Sequence, residues 1–120
     1  MDELEFSRKF DEDLTGVFEY KGFNLRANVD AMTIMEAIAY MDEFEKVESA
    51  VKKNPENPVL KKKYERAALK IYEAICLIYD DEERKKIRQT KPTTADLGEL
   101  VSKAIHLFNK REKEESGRKN

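Results

Sequence analysis

One segment, residues 59–89, constrains the fold of this chain more than any other. Its apolar residues recur at helical spacing and cover more than half of the circumference of the helix that they predict. They are Leu60, Tyr64, Ala67, Ala68, Ile71, Tyr72, Ile75, Cys76, Ile78 and Tyr79. Because so wide an apolar surface needs neighbours on two sides, we expect a helical domain packed around this segment.

The start of this central helix is clear in the sequence, whereas its end is open. Two prolines and two asparagines within Asn54–Pro58 predict a turn before it. Downstream, the acidic run Asp80–Glu83 suits the positive N-terminus of a new short helix that ends with Arg88. Ile87, however, continues the apolar line, which favours an uninterrupted helix. Both alternatives remain open.

A β-hairpin is predicted over residues 17–29, upstream of the helices. Val17 and Glu19 alternate with Phe18 and Tyr20, as in a strand, and the dipeptide at positions 21–22 is Lys-Gly. Glycine supplies a turn because it takes positive φ without a steric cost. A lone two-stranded hairpin is marginal in water, so it must pack on a helix or pair with another chain.

The first helix begins after Asp30, a residue type that favours the N-cap, and its apolar side changes along its length. One side carries Ala31, Ile34, Met35, Ile38 and Met41, and the other carries Tyr40, Phe44, Val47 and Val51. The two sides lie about 150° apart at 100° per residue. Either the first three turns are buried nearly all round, or the helix bends or breaks near Asp42. We favour the bend or break, because Asp42 and Glu45 have capping-box spacing.

The last helix is the most regular amphipathic segment. Thr93 or Thr94 caps it, and one apolar seam runs through Leu97, Leu100, Val101, Ala104, Ile105, Leu107 and Phe108. Residues 1–13 form an acidic arm, residues 14–110 a single helical domain, and residues 111–120 a charged, flexible tail. The predicted fold class is therefore mainly α, a small domain of about four helices with an N-terminal β-hairpin.

Composition and charge narrow the class of protein further. The single cysteine excludes an internal disulfide, and neither a secretory signal nor a membrane span occurs, so we expect a cytoplasmic protein without membrane partners. Residues 1–50 carry 13 acidic and 5 basic residues, and residues 51–120 carry 12 and 18. These halves attract each other within one chain or head to tail in a homo-oligomer; screening favours the first.

Catalytic, cofactor-binding and metal-binding residues are not predicted. The only histidine, His106, falls on the polar side of the last helix, and Cys76 falls in the apolar stripe. Glu45 and Glu48 have the ExxE spacing of metal-dependent nucleotide hydrolases, but a matching second pair is missing. The basic runs Lys61–Lys63 and Arg84–Lys86 are interleaved with acids, so we expect solvated surfaces rather than a nucleic-acid site.

The first helix supplies the candidate partner-binding residues. They are Met32, Met35, Tyr40, Met41 and Phe44. Methionine adapts to imperfectly fitting partners, although it also fills ordinary cores. Because this segment is apolar nearly all round, part of it must be covered by the hairpin, by another copy or by a client.

The order of elements resembles that of the tail assembly chaperones of long-tailed phages. The likeness covers roughly residues 15–110 and is closest from Tyr72 to Phe108, where an apolar helix with an acidic "DDEE" restart precedes the capped "DLGELVSKAI" helix. The resemblance implies a non-enzymatic protein of the bacterial host cytoplasm. Such proteins bind the aggregation-prone tape measure protein, help to recruit tail tube protein, self-associate, and often occur in a frameshift-extended form.

The alternative function is that of a small cytoplasmic regulatory or adaptor protein. In that case, the two basic segments Lys61–Lys63 and Arg84–Arg88 are its contacts to nucleic acid. Phosphate contacts weaken steeply with salt, which distinguishes this alternative from a chaperone.

Overall fold

The computed structural model describes residues 15–118, and the side chains of residues 15–114. Two strands, β1 (Thr15–Tyr20) and β2 (Phe23–Asn28), are followed by four helices, α1 (Ala31–Lys53), α2 (Pro58–Ile78), α3 (Asp81–Gln89) and α4 (Thr94–Arg118). The predicted fold class, mainly α with an N-terminal hairpin, is confirmed. The acidic arm of residues 1–13 lies outside the described residues.

The hairpin turns at Lys21 and Gly22, as predicted. Tyr20 pairs with Phe23, and both turn residues have positive φ, 46° for Lys21 and 87° for Gly22. This is the combination that a two-residue type I′ turn requires. The Lys21 ammonium lies 3.3 Å from the Asp96 carboxylate, which holds the turn beside the first turn of α4.

Asp30 caps α1 with both carboxylate oxygens. The Thr33 amide donates to Oδ1 at 3.0 Å and the Thr33 hydroxyl donates to Oδ2 at 2.7 Å. Partial burial alone would raise the pKa of Asp30. The hydrogen bonds to its carboxylate, of which those from Thr33 are the largest, outweigh burial and lower the pKa below its ordinary value. The predicted N-cap is therefore present.

We predicted a bend or break near Asp42; the break is wrong, because α1 is continuous from Ala31 to Lys53. Its change of apolar side reflects two neighbours, since α1 packs against both α2 and α4. The other alternative, burial nearly all round the first three turns, is also wrong. Met32 and Met35 lie in these turns and are exposed.

The central helix ends at Ile78, and a separate helix restarts at Asp81. The acidic run Asp80–Glu83 thus begins a new helix, the first of the two alternatives. Arg84 fixes the corner, because its guanidinium donates to the carbonyls of Cys76 at 3.2 Å and Tyr79 at 2.8 Å and contacts the Asp81 carboxylate.

The two remaining helix starts also follow their sequence signals. Asn57 caps α2, accepting hydrogen bonds from the amides of Val59 and Leu60. Thr93 and Asp96 cap α4 reciprocally: the Asp96 amide donates to the Thr93 hydroxyl at 3.1 Å, and the Thr93 amide donates to the Asp96 carboxylate at 3.0 Å. The helix continues to Arg118, past the start of the predicted tail.

The core lies between the inner face of the hairpin and the helices α1, α2 and α4. Tyr79, at the end of α2, is fully buried, and its hydroxyl donates to the Leu100 carbonyl at 2.6 Å. Burial raises the pKa of Tyr79. The Phe18 ring packs edge-on against the Tyr79 ring, with 6.4 Å between the two ring centroids. None of the helices among residues 15–118 is long and apolar enough to cross a membrane.

Candidate partner-binding surfaces

The five predicted partner-binding residues of α1 do not share one surface. Met32 is 81% exposed and Met35 is 67% exposed, whereas Tyr40 and Met41 are partly buried and Phe44 is buried. The prediction therefore combined residues from different environments. Only Met32 and Met35 are openly available to a partner.

Phe44 belongs to the packing between α1 and α2. Its ring centroid lies 5.5 Å from that of Tyr64. Glu43, the residue before Phe44, also contacts α2: its carboxylate lies 2.8 Å from the Lys70 ammonium. This contact raises the pKa of Lys70. Phe44 thus belongs to the core.

Five large apolar side chains of α1 and α2 are exposed. We call this set of exposed residues the outer surface: Met32, Met35, Leu69, Tyr72 and Leu77. The helices are antiparallel and joined at Glu43 and Lys70. Met32 precedes Glu43 by about three turns and Leu77 follows Lys70 by about two, so both lie towards the same end and on the same side of the pair.

The residues that α2 contributes to the outer surface were not predicted as a site. Leu69 is 65% exposed, Tyr72 is 41% exposed and Leu77 is 39% exposed. The sequence pattern favoured a covered position for Tyr72, because the apolar stripe of α2 demands neighbours on two sides. In the structure those neighbours are α1 and α4, and together they leave Leu69, Tyr72 and Leu77 exposed. The apolar stripe of α2 is thus wider than the part that its neighbours cover, and this width was the sequence feature that could have indicated an exposed apolar surface.

A second candidate is a groove of about 530 Å³ between α1 and α4. Its floor includes Met41 and Phe44, and its walls carry Glu45, Glu48, Glu99, Ser102, Lys103 and His106. His106 is exposed, as predicted. The carboxylates here do not come together as a metal site, and the residues that the structure describes contain no such cluster elsewhere.

The two predicted basic runs differ in their surroundings. In α3, Lys85 pairs with Glu82 and Lys86 pairs with Glu83, while Arg88 donates to the Tyr72 hydroxyl at 3.2 Å. These cations are engaged within the chain. Residues 61–63 at the start of α2 are all exposed lysines, and their exposure leaves them accessible to an anionic partner.

Comparisons with known proteins found no match. Protein-family models and curated proteins gave none for the sequence, and solved structures gave none for the fold. Support for a function therefore comes from the surfaces described above and from the resemblance in the order of elements.

Proposed function

We propose that this chain is a non-enzymatic phage tail assembly chaperone that binds the tape measure protein through the outer surface. The observation that carries the proposal is the exposure of Met32 and Met35, 81% and 67%, on a well-capped helix. Tail tube protein and a second copy of the chain are further partners by resemblance, and they remain predictions.

Exposed apolar side chains that lie together mark interaction sites more often than those that lie singly. On the outer surface, the two methionines lie with Leu77 on one side of the helix pair, and Leu69 and Tyr72 are exposed further round α2. Methionine side chains are flexible and polarizable, so they can pack against apolar partners of differing shape. That property suits a protein that must cover many apolar segments of one long client.

The geometry suits a helical client segment. Met32 and Met35 are spaced i, i+3, so they lie on one side of α1, and Leu77 of α2 lies on the same side of the helix pair. An amphipathic helix recognised in this way presents its own apolar residues at i, i+3, i+4 and i+7. Covering such a segment removes its apolar area from water, which keeps the client from self-associating.

The proposal is tested by co-expression with the tape measure protein from the same source. The unmodified chain is expected to raise the soluble fraction of the client, and the double variant Met32→Ser/Met35→Ser is expected to lose most of that effect. Val59→Ser is the matched control, because Val59 is 60% exposed outside the outer surface. Client aggregation that is unchanged by the unmodified chain would refute the proposal.

A second candidate, a small regulatory or adaptor protein that contacts nucleic acid, is favoured only by the exposed lysines of residues 61–63. A gel-shift titration with duplex DNA and with RNA at increasing salt separates the two functions. Binding that weakens steeply with salt and disappears when all three lysines become glutamine supports the second candidate. The chaperone proposal expects no such band shift.

A further inference from the structure

The two edges of the hairpin are treated differently by the rest of the chain. Along the outer edge of β2, the Arg26 amide donates to the Glu83 carboxylate at 3.0 Å, and the Lys86 ammonium donates to the Asn24 carbonyl at 3.0 Å. Side chains of α3 thus occupy one donor and one acceptor that a further strand would need. The β2 edge is blocked.

At Val17 and Glu19, the outer edge of β1 carries the equivalent groups without such a cover from the rest of residues 15–118. The strand register pairs Val17 with Arg26 and Glu19 with Asn24. In an antiparallel ladder, residues that face each other direct their main-chain groups either towards each other or both away. Because Arg26 and Asn24 direct theirs away, Val17 and Glu19 do so too. Within residues 15–118, these main-chain groups of β1 accept and donate no hydrogen bond along that edge.

A groove of about 270 Å³ runs beside this edge, between β1 and α4. Phe18 and Leu100 give it an apolar floor, and Glu99 and Lys103 lie on its helical wall. The Lys103 ammonium lies 5.8 Å from the centroid of the Phe18 ring. Tyr20 also lines the groove.

An open strand edge beside a helix, with a groove between them, is the arrangement that receives an extended peptide by strand addition. We propose that β1 binds an extended segment of a partner protein as a third strand, antiparallel or parallel to β1, in the groove between β1 and α4. Every second side chain of that segment is apolar and enters the groove. A basic side chain on its other face lies opposite the exposed Glu19.

A second copy of this chain fits the same edge poorly. Helix α4 lies along β1. At one end Asp96 forms an ion pair with Lys21, and at the other end Leu107 packs so closely on Gly16 that a methyl group added there would lie 2.8 Å from the Leu107 side chain. Joining two β1 strands antiparallel, by a two-fold axis perpendicular to the sheet, puts both α4 helices on one face of the sheet. Helices need about 8–10 Å between their axes, whereas strands are about 4.8 Å apart. A single extended segment brings no such second helix.

This inference does not depend on the proposed function, because β1 and the outer surface are separate sites. The probe is a fluorescein-labelled synthetic heptapeptide that alternates lysine with valine or phenylalanine. Saturable binding is expected in fluorescence anisotropy. In NMR hydrogen-exchange measurements, the amides of Val17 and Glu19 are expected to become protected when the peptide is added.

Val17 offers variants that separate edge binding from folding. Val17→Pro removes one outward amide without removing a hydrogen bond of the hairpin, and is expected to weaken peptide binding about five- to tenfold. Val17→Lys keeps the backbone and places a charge beside the basic peptide, so it is also expected to weaken binding. Val59→Lys is the matched control, since Val17 is 59% exposed and Val59 is 60% exposed. Circular dichroism checks that each variant is folded.

N-methylation of the peptide tests whether its backbone forms the contact. Methylating one alternate set of amides is expected to abolish binding, and methylating the other set is expected to leave it unchanged, because only one set faces β1. Equal effects of both sets would overturn the proposal. So would absence of saturable binding, protection at the outer surface instead of at Val17 and Glu19, or edge amides already protected in the free protein in a concentration-dependent way.

Discussion

The inner and outer sides of α2 differ sharply although both are apolar. The inner side, which includes Ile71 and Ile75, is fully buried against α1, α4 and the hairpin, whereas Leu69 and Tyr72 on the outer side face solvent. The hairpin accounts for part of this difference, because its inner face closes over Tyr79 and Leu100 rather than over the methionines of α1. One helix thus supplies the core with one side and a candidate binding surface with the other.

The hairpin does not cover the exposed methionines of α1. The hairpin was one of three expected covers, together with another copy and a client. Its main packing partners are α2, α3 and α4, and Met32 and Met35 remain exposed. A hairpin that stabilises the far side of the domain leaves the outer surface free for a partner.

The largest expected effect comes from truncating the two sides of α2 in turn. Ile71→Ala is expected to lower the free energy of unfolding by about 2–5 kcal/mol, because it opens a cavity in the core. Leu69→Ala is expected to change it by no more than about 0.5 kcal/mol, because Leu69 is 65% exposed. Urea unfolding of both variants measures the contrast. Equal losses would show that the outer side is covered in solution, contrary to the structure.

The next effect tests how firmly the hairpin side is closed. Tyr79→Phe is expected to lower the free energy of unfolding by about 1–2 kcal/mol, since the Leu100 carbonyl loses a buried hydrogen bond. Urea unfolding at neutral pH measures this loss. If Tyr79→Phe were as stable as the parent, the 2.6 Å hydrogen bond would contribute nothing net.

The same side carries a pH dependence with a defined sign. The folded-state pKa of Tyr79 is raised, so its contribution to stability is complete below the unfolded value of about 10 and is lost as pH rises above it. The parent is therefore expected to lose stability in alkali more steeply than Tyr79→Phe. Parallel pH profiles for the two proteins would contradict burial of this phenol.

A smaller effect concerns the helix end that carries the exposed methionines. Asp30→Ala removes the cap of α1 and is expected to cost about 1 kcal/mol of stability. The folded-state pKa of Asp30 is lowered, so its contribution is present above the unfolded value of about 4 and is lost as pH falls through the folded value. Thermal unfolding of parent and variant at neutral and acidic pH is expected to show the difference shrinking in acid. A difference that grows in acid would contradict the capping role.

Local chemistry made several elements predictable from sequence. Asp30, the Lys21-Gly22 turn and the Asn54–Pro58 turn act through neighbours a few residues away, so their residue types suffice. The central helix and its apolar stripe were predictable for the same reason, because helical periodicity is a local pattern. Each of these features is present in the structure.

The remaining features depend on contacts between distant parts of the chain. The break expected near Asp42 is absent because two neighbouring helices accept the two apolar sides of a continuous α1. The exposure of Leu69 depends on which elements cover α2, which periodicity does not reveal. The blocked edge of β2 depends on Glu83 meeting Arg26 across a long stretch of sequence. Such pairings follow from the packed fold rather than from any local pattern.

We propose that the outer surface, rather than the groove between α1 and α4, binds the tape measure protein. Methionine methyl NMR tests it directly, because Met32 and Met35 lie on the outer surface and Met41 lies in the groove. On addition of the tape measure protein from the same source, the methyl signals of Met32 and Met35 are expected to shift or broaden while that of Met41 stays in place. A response confined to Met41, or no response at all, would contradict the claim.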